Sequence, residues 1–158
     1  MRKIILFIHS TINGVVTGDP SGDKTNWAVW RNSAGIEEGS RYLFNIFETA
    51  DTILLGRGTY EDLSRKWPNT RGSSLGDKIN NAHKLVVTSA QPPGKLKWGE
   101  FEAPNPLTGS NIEEQIMDLK NGDGGDIVIF GSPTLVRSLA KEILLTNIRS
   151  SCTRLWST

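Results

Sequence analysis

Four short runs constrain this chain more than anything else in it: KIILFI (3–8), DTILLG (51–56), KLVVTS (84–89) and DIVIFG (126–131). Each is almost continuously apolar. A strand with one face in water alternates apolar and polar residues, whereas a strand covered on both faces has no reason to. Such runs predict a parallel sheet with helices on either side. The segments between them carry helical spacing. Residues 36–49 place Ile36, Leu43, Phe44 and Phe47 on one stripe, and 58–66 is a short helix behind the second run. Residues 111–121 open on Asn111 as a cap and align Ile112, Ile116 and Leu119. Residues 132–142 begin Ser-Pro, a cap followed by a first-turn proline. Strand and helix alternate, so an α/β domain with right-handed crossovers is expected. The passage QPPGKLKWGEFEAPNPLTGS (91–110) reads as loop, with a short strand around Trp98 to Phe101.

Composition narrows the function classes. A chain of 158 residues is one domain, and its net charge of +1 gives no field to steer it onto nucleic acid or an anionic membrane. Cys152 is the single cysteine, so neither a disulfide framework nor a four-cysteine zinc site is available. MRKIILFIHS starts basic, but its apolar run is short and reads as a first strand rather than a signal peptide. No stretch is long enough to span a bilayer. These features fit a cytoplasmic protein with a small-molecule partner, as a monomer or small oligomer. His9 and His83 lack metal-ligand spacing, so no metal site is expected. GDPSGDKT (18–25) imitates a phosphate-binding loop, but no lysine follows the second glycine directly, and it reads as a polar loop.

In open parallel sheets, ligands bind beyond the carboxyl ends of the strands. The second run is followed by LGRGTYED, where Gly56 and Gly58 permit a tight turn and the next helix opens with free N–H groups, suited to phosphate. Arg57 adds a planar charged fork. The third run ends in the hydroxyls of Thr88 and Ser89, and the fourth in FGSPT, a second glycine turn feeding a helix. Any one of these is an ordinary strand-to-helix turn. Three on one edge suit a ligand with several phosphates, such as a dinucleotide. Behind the first run, STINGVVTGD places Thr11 and Asn13 beside the same edge, although Asn13-Gly14 is also a good type I′ turn. Trp27 and Trp30 could cover a planar substrate or simply pack their loop onto the domain. Glu37 and Glu38 open a helix, where carboxylates complement its dipole.

TING, LGRGTYE, WP (67–68), VTS and FGS occur in that order across residues 1–142. In this combination the chain resembles the dihydrofolate-reductase-like family that includes the reductase domain of riboflavin biosynthesis. The resemblance implies an α/β fold with a mostly parallel sheet, closed in the family by antiparallel strands. It also implies NADPH as cofactor and a pteridine or pyrimidine substrate, of the dihydrofolate reductase or 5-amino-6-(5-phosphoribosylamino)uracil reductase type. On it, Arg57 and Thr59 hold the adenosine phosphate end with Ser89 nearby, while Gly131, Ser132 and Thr134 face the pyrophosphate. Thr11, Asn13 and Gly14 lie by the nicotinamide and substrate, and Glu37 or Glu38 stands for the carboxylate on the first helix. Asn13 replaces the family's usual aspartate, which removes a charge from any proton relay. A nucleotide-binding module without turnover is the alternative.

The resemblance stops at LAKE. Where the family continues with strands that commonly build a homodimer, this chain reads ILLTNIRSSCTRLWST. Codons read one base earlier allow Asp-Glu-Tyr from Leu145 onward, then apolar residues, then His-Pro and three valines. Residues 1–142 are therefore expected to form the reductase domain, and 143–158 an out-of-frame tail, irregular or prolonging the preceding helix, with the dimer in doubt.

Overall fold

The computed structural model describes residues 1–11, 36–70, 72–90, 92, 94–141 and 147–153, the last seven and residues 9–11, 36–38 and 141 by backbone alone. In chain order the elements are β1 (Ile4–Thr11), α1 (Ile36–Ile46), β2 (Ala50–Gly56), α2 (Arg57–Lys66) and a 3-10 turn (Trp67–Asn69). They continue with α3 (Ser74–Asn81), β3 (His83–Val87), β4 (Asn105–Leu107), α4 (Ile112–Asn121), β5 (Asp126–Phe130), α5 (Pro133–Lys141) and β6 (Asn147–Thr153). The strands form one sheet in the order β4-β3-β2-β5-β1-β6, and every pairing between them is parallel.

Strand geometry sends successive side chains to opposite faces, and the two apolar clusters follow it. Ile5, Phe7, Ile53, Leu55, Val86, Val128 and Phe130 point to one side. There they meet Leu43, Ile46 and Phe47 around α1, Tyr60 and Leu63 of α2, and Leu75 and Ile79 of α3. Ile4, Leu6, Leu54, Leu85, Ile127 and Ile129 point to the other, against Ile116 of α4 and Leu135 and Leu139 of α5. This is why the four runs are apolar throughout. Each fully buried aliphatic side chain contributes about 1.5–3 kcal/mol, so the central strands dominate the stability. No helix among the described residues is long and apolar enough to cross a membrane.

Several local expectations need correction. Trp98 to Phe101 form no strand; Trp98 is instead buried in the first cluster, and the extra strand is β4 at Asn105–Leu107. The buried indole donates from Nε1 to Asn80 Oδ1 at 2.8 Å, which fixes it beneath α3. The Asn111 side chain does not cap α4, because its Oδ1 accepts from Gln115 Nε2 at 2.9 Å. Within the tail, residues 147–153 are neither irregular nor helical but pair with β1 from Ile5↔Asn147 to Thr11↔Thr153, while 143–146 and 154–158 lie outside the described residues. An edge strand needs only backbone groups and one neighbour, so the missing apolar alternation did not prevent it. That pairing leaves the reading frame to resequencing across codons 142–146, where an uninterrupted frame as written would overturn the out-of-frame reading.

At the amino end of the sheet, Arg2 is 7% exposed and ties three segments together. It donates from Nε to Gly125 O, and from Nη2 to Asp51 Oδ1 and to Thr52 Oγ1. Burial pushes the Asp51 carboxyl up, but the Gly125 N–H, the Thr52 hydroxyl and Arg2 together hold it below its ordinary value. A second buried polar cluster lies under α3. Lys84 is 2% exposed, donates to Asn80 O at 2.7 Å and Ala82 O at 2.6 Å, and sits 5.0 Å from the centre of the Trp98 ring. Burial drives its pKa down to about 8, against a smaller opposing pull from Glu102.

The Lys84 ammonium thus titrates earlier in the folded chain than in the unfolded one. Below about pH 8 both states carry the proton and folding bears the full cost of burying the charge. Between about 8 and 10.5 the unfolded state binds the extra proton, so this contribution to stability rises with pH. Urea unfolding of the wild type and Lys84→Met across that window should show a difference that shifts in favour of the wild type as pH increases. A pH-independent difference would contradict the assignment.

Candidate functional site

β2 and β5 are neighbours, but the chain leaves them in opposite directions. From β2 it runs through α2 and α3 on one face to β3; from β5 it runs through α5 on the other face toward β6, beyond β1. The two departing helices lie on opposite faces, so the carboxyl edge between these strands is a switch point, where open α/β sheets have the crevice that binds ligands.

The crevice is built from glycines and hydroxyls. Gly56 ends β2, and a Cβ there would stand 3.0 Å from Ser132 Oγ and 3.1 Å from Ser132 Cβ, so the two turns touch through a position where any side chain would push Ser132 aside. The Gly56 N–H donates to Ser132 Oγ at 2.8 Å, and Ser132 Oγ lies 2.8 Å from Thr59 Oγ1 and 3.3 Å from Phe130 O. Gly131 and Ser132 both have left-handed backbones, with φ of 59° and 57°. This kink turns the chain out of β5, and Gly131 donates its N–H to Phe7 O of β1 at 2.8 Å. Thr59, half-buried, lies against Gly131, whose missing Cβ would be 3.6 Å from Thr59 Cγ2.

Arg57 is the first residue of α2, a helix with no side-chain cap and no acidic residue in its first turn. Its Nε donates to Glu61 Oε1 one turn on, both side chains being partly exposed. The spacing of Arg57 and Glu61 in LGRGTYE is the helical i,i+4 pairing, a signal present in the sequence but missed there. Also missed was the work of Tyr60, whose hydroxyl accepts from Lys97 N at 2.9 Å and donates to Lys97 O at 3.1 Å, anchoring the segment that carries Trp98.

The structure thus brings Gly56, Arg57, Gly58, Thr59, Gly131 and Ser132 together at the two turns, with Thr134 exposed in the first turn of α5. Thr88 follows β3 on the same edge, but it is buried and its hydroxyl closes a local turn by donating to Ala90 O at 2.8 Å. Ser89 beside it is exposed. Thr11 is the last residue of β1, again on this edge, and Glu37 and Glu38 lie in the first turn of α1. Asn13, Gly14, Trp27 and Trp30 lie outside the described residues. Glycine-containing turns, a threonine hydroxyl and an arginine at an uncapped helix start fit the phosphates of a dinucleotide.

The two glycines of the first turn should respond oppositely to alanine. Gly56→Ala forces its new methyl against Ser132 and should cost about 1–3 kcal/mol, as overpacking does. Gly58 has nothing within 4 Å of an added Cβ and sits inside α2, so Gly58→Ala should stabilise by roughly 0.5–1 kcal/mol. Urea denaturation of both variants checks the pair, and equal effects would contradict the contact.

Comparison with known proteins identifies the fold and the family. The chain is 23% identical over 150 residues to the uncharacterized protein YyaP of Bacillus subtilis (strain 168), covering 95% of this chain and 73% of that protein. A crystal structure from Shewanella sp. PV-4, assigned to riboflavin biosynthesis, superposes with a TM-score of 0.63 at 17% identity, over 98% of this chain and 78% of the other. Schistosoma mansoni dihydrofolate reductase gives 0.57 at 14% identity, over 99% and 75%. At these identities the structures establish the shared dihydrofolate-reductase-like fold. The model of the RibD C-terminal domain matches residues 2–150, nearly the whole chain, which therefore belongs to the RibD C-terminal domain family.

Proposed function

We propose that this chain is an NADPH-dependent reductase of a small heterocyclic substrate, a pteridine or a ribosylaminopyrimidine. One observation carries the reading: two glycine turns, joined by the Ser132–Thr59 hydrogen bond and flanked by Arg57, meet at the switch point of a RibD C-terminal domain. Its structural neighbours, a dihydrofolate reductase and a protein of riboflavin biosynthesis, support the reaction class. When bound, NADPH supplies the hydride, so the protein needs no nucleophile of its own.

The chain's residues then bind, orient and exclude water. Arg57 takes the 2′-phosphate, its Nε fixed by Glu61 and its two terminal nitrogens the remaining donors of the fork. Thr59, which the resemblance sets at the adenosine phosphate end, lies against Gly131 and bonds Ser132, so we assign it with that turn to the pyrophosphate rather than with Arg57. The family resemblance assigns Thr11, Asn13 and Gly14 to the nicotinamide and the substrate, and we assign Trp27 and Trp30 to the substrate ring from their sequence position alone. Glu37 or Glu38 holds the proton that must accompany hydride. Asn13, an amide where the family has a carboxylate, favours the second reading, nucleotide binding without turnover.

Titration with NADPH, followed by nicotinamide fluorescence, tests binding; turnover of dihydrofolate and of the ribosylaminopyrimidine separates the two readings. Arg57→Ala should lose about 1–3 kcal/mol of NADPH affinity, the scale of a charge-assisted hydrogen bond. NADH affinity should stay unchanged. Equal losses for both nucleotides would assign Arg57 a structural role.

A further inference from the structure

We infer that Ser132 is a positioning residue: its buried hydroxyl orients the hydroxyl of Thr59, so that Thr59 presents its hydrogen to the pyrophosphate of a bound dinucleotide. The identity of the ligand rests on the reductase reading above. The orienting bonds are within the chain itself.

Ser132 is 7% exposed and has φ of 57°, a strained conformation for a non-glycine residue that persists only where its surroundings hold it. Glycine would adopt it freely. The serine side chain must therefore supply something, and its contacts show what. The Gly56 N–H occupies one lone pair of Ser132 Oγ, at 2.8 Å. A hydroxyl has one hydrogen to give, and two acceptors compete for it: Thr59 Oγ1 at 2.8 Å and Phe130 O at 3.3 Å. The shorter contact is the normal length for a hydroxyl bond, and the longer one lies beyond it.

With the hydrogen given to Thr59, Thr59 Oγ1 is an acceptor toward Ser132 and its own hydrogen is left to point elsewhere. Among the described residues, Thr59 Oγ1 has no other side-chain partner. With the hydrogen given to Phe130 O, Thr59 would donate inward to Ser132 and have nothing to offer a ligand. A pyrophosphate only accepts, so it is served by the first arrangement alone. The chain Gly56 N–H, Ser132 O–H, Thr59 O–H is thus a relay of three donors aligned in one sense, from the buried end of β2 to the crevice. Arg57 acts on a different phosphate and is not part of it.

The test compares Ser132→Ala and Ser132→Gly with the wild type, reading thermal unfolding and calorimetric affinity for NADPH, NADH and adenosine 2′-monophosphate. Both variants should bind NADPH and NADH about five- to tenfold more weakly, the scale of one hydrogen bond. The ratio between the dinucleotides should hold, as should affinity for adenosine 2′-monophosphate, which has no pyrophosphate. Ser132→Gly should unfold at a higher temperature than Ser132→Ala, because it relieves the strain, and still bind as poorly. Thr59→Val should cause a similar loss, and Ser132→Ala should add little to it. Unchanged dinucleotide affinity in Ser132→Gly, additive losses in the double variant, or equal loss of adenosine 2′-monophosphate would each overturn the relay while sparing the reductase reading. A wild type that binds neither dinucleotide would overturn both.

Discussion

Everything at the candidate site depends on β2 and β5 lying side by side while the chain departs from them on opposite faces of the sheet. Their register, Ile53 against Val128 and Leu54 against Ile129, brings Gly56 and Ser132 into contact at the strand ends. The register is held by burial. Ile53 and Val128 belong to one apolar cluster, Leu54 and Ile129 to the other, and a shift by one residue would exchange the clusters of the whole strand. The two cores are thus what hold Thr59 and Ser132 within hydrogen-bonding distance.

The opposite end of the sheet has a different character. There, charge is paired internally: Arg2 with Asp51, the Asp51 carboxylate with the Gly125 N–H, and Thr49 Oγ1 with Asp126 Oδ2 at 2.8 Å. Lys3 N adds a bond to Asp126 Oδ1 at 3.0 Å. This network joins the starts of β1, β2 and β5 where no ligand is expected, and its polar groups are spent on one another. At the carboxyl edge, the groups are short or absent side chains and hydroxyls that can still donate. One end stabilises the sheet; the other is left able to bind.

How much of this could be read from the sequence follows from what kind of force makes each part. The four central strands were legible because burial on both faces leaves an uninterrupted apolar run. The short elements were not. α3 carries only Leu75 and Ile79 as apolar core residues and contains Gly76, so its apolar stripe is too short to stand out. β4 is three residues with a central proline, and β6 is polar, yet backbone pairing to one neighbour suffices for an edge. The turns of the site were legible as Gly-containing strand ends. The bond between Thr59 and Ser132 was not, since it joins residues 73 apart whose proximity exists only once β2 and β5 pair. Nor was the left-handed backbone of Ser132, at a residue type with no special liking for it. The segment carrying Asn13, Trp27 and Trp30 lies outside the described residues, and its part of the reading still rests on resemblance.

On the proposed function, Arg57 is where a local cost and a binding role meet in one residue. A cation at a helix start opposes the positive end of the dipole, and the other helices avoid it: α3 places Asp77, and α4 Glu113 and Glu114, in the first turn. A partly exposed pair such as Arg57–Glu61 contributes little stability, so it cannot by itself explain an arginine in this position. What the pair does is restrict the guanidinium, reducing the side-chain entropy lost when the fork engages a ligand. An anion at this point would reverse the sign of the dipole interaction and meet a fork already held in place. The same position is unfavourable without a ligand and favourable with one. That is the balance expected where a chain gives up some stability for binding.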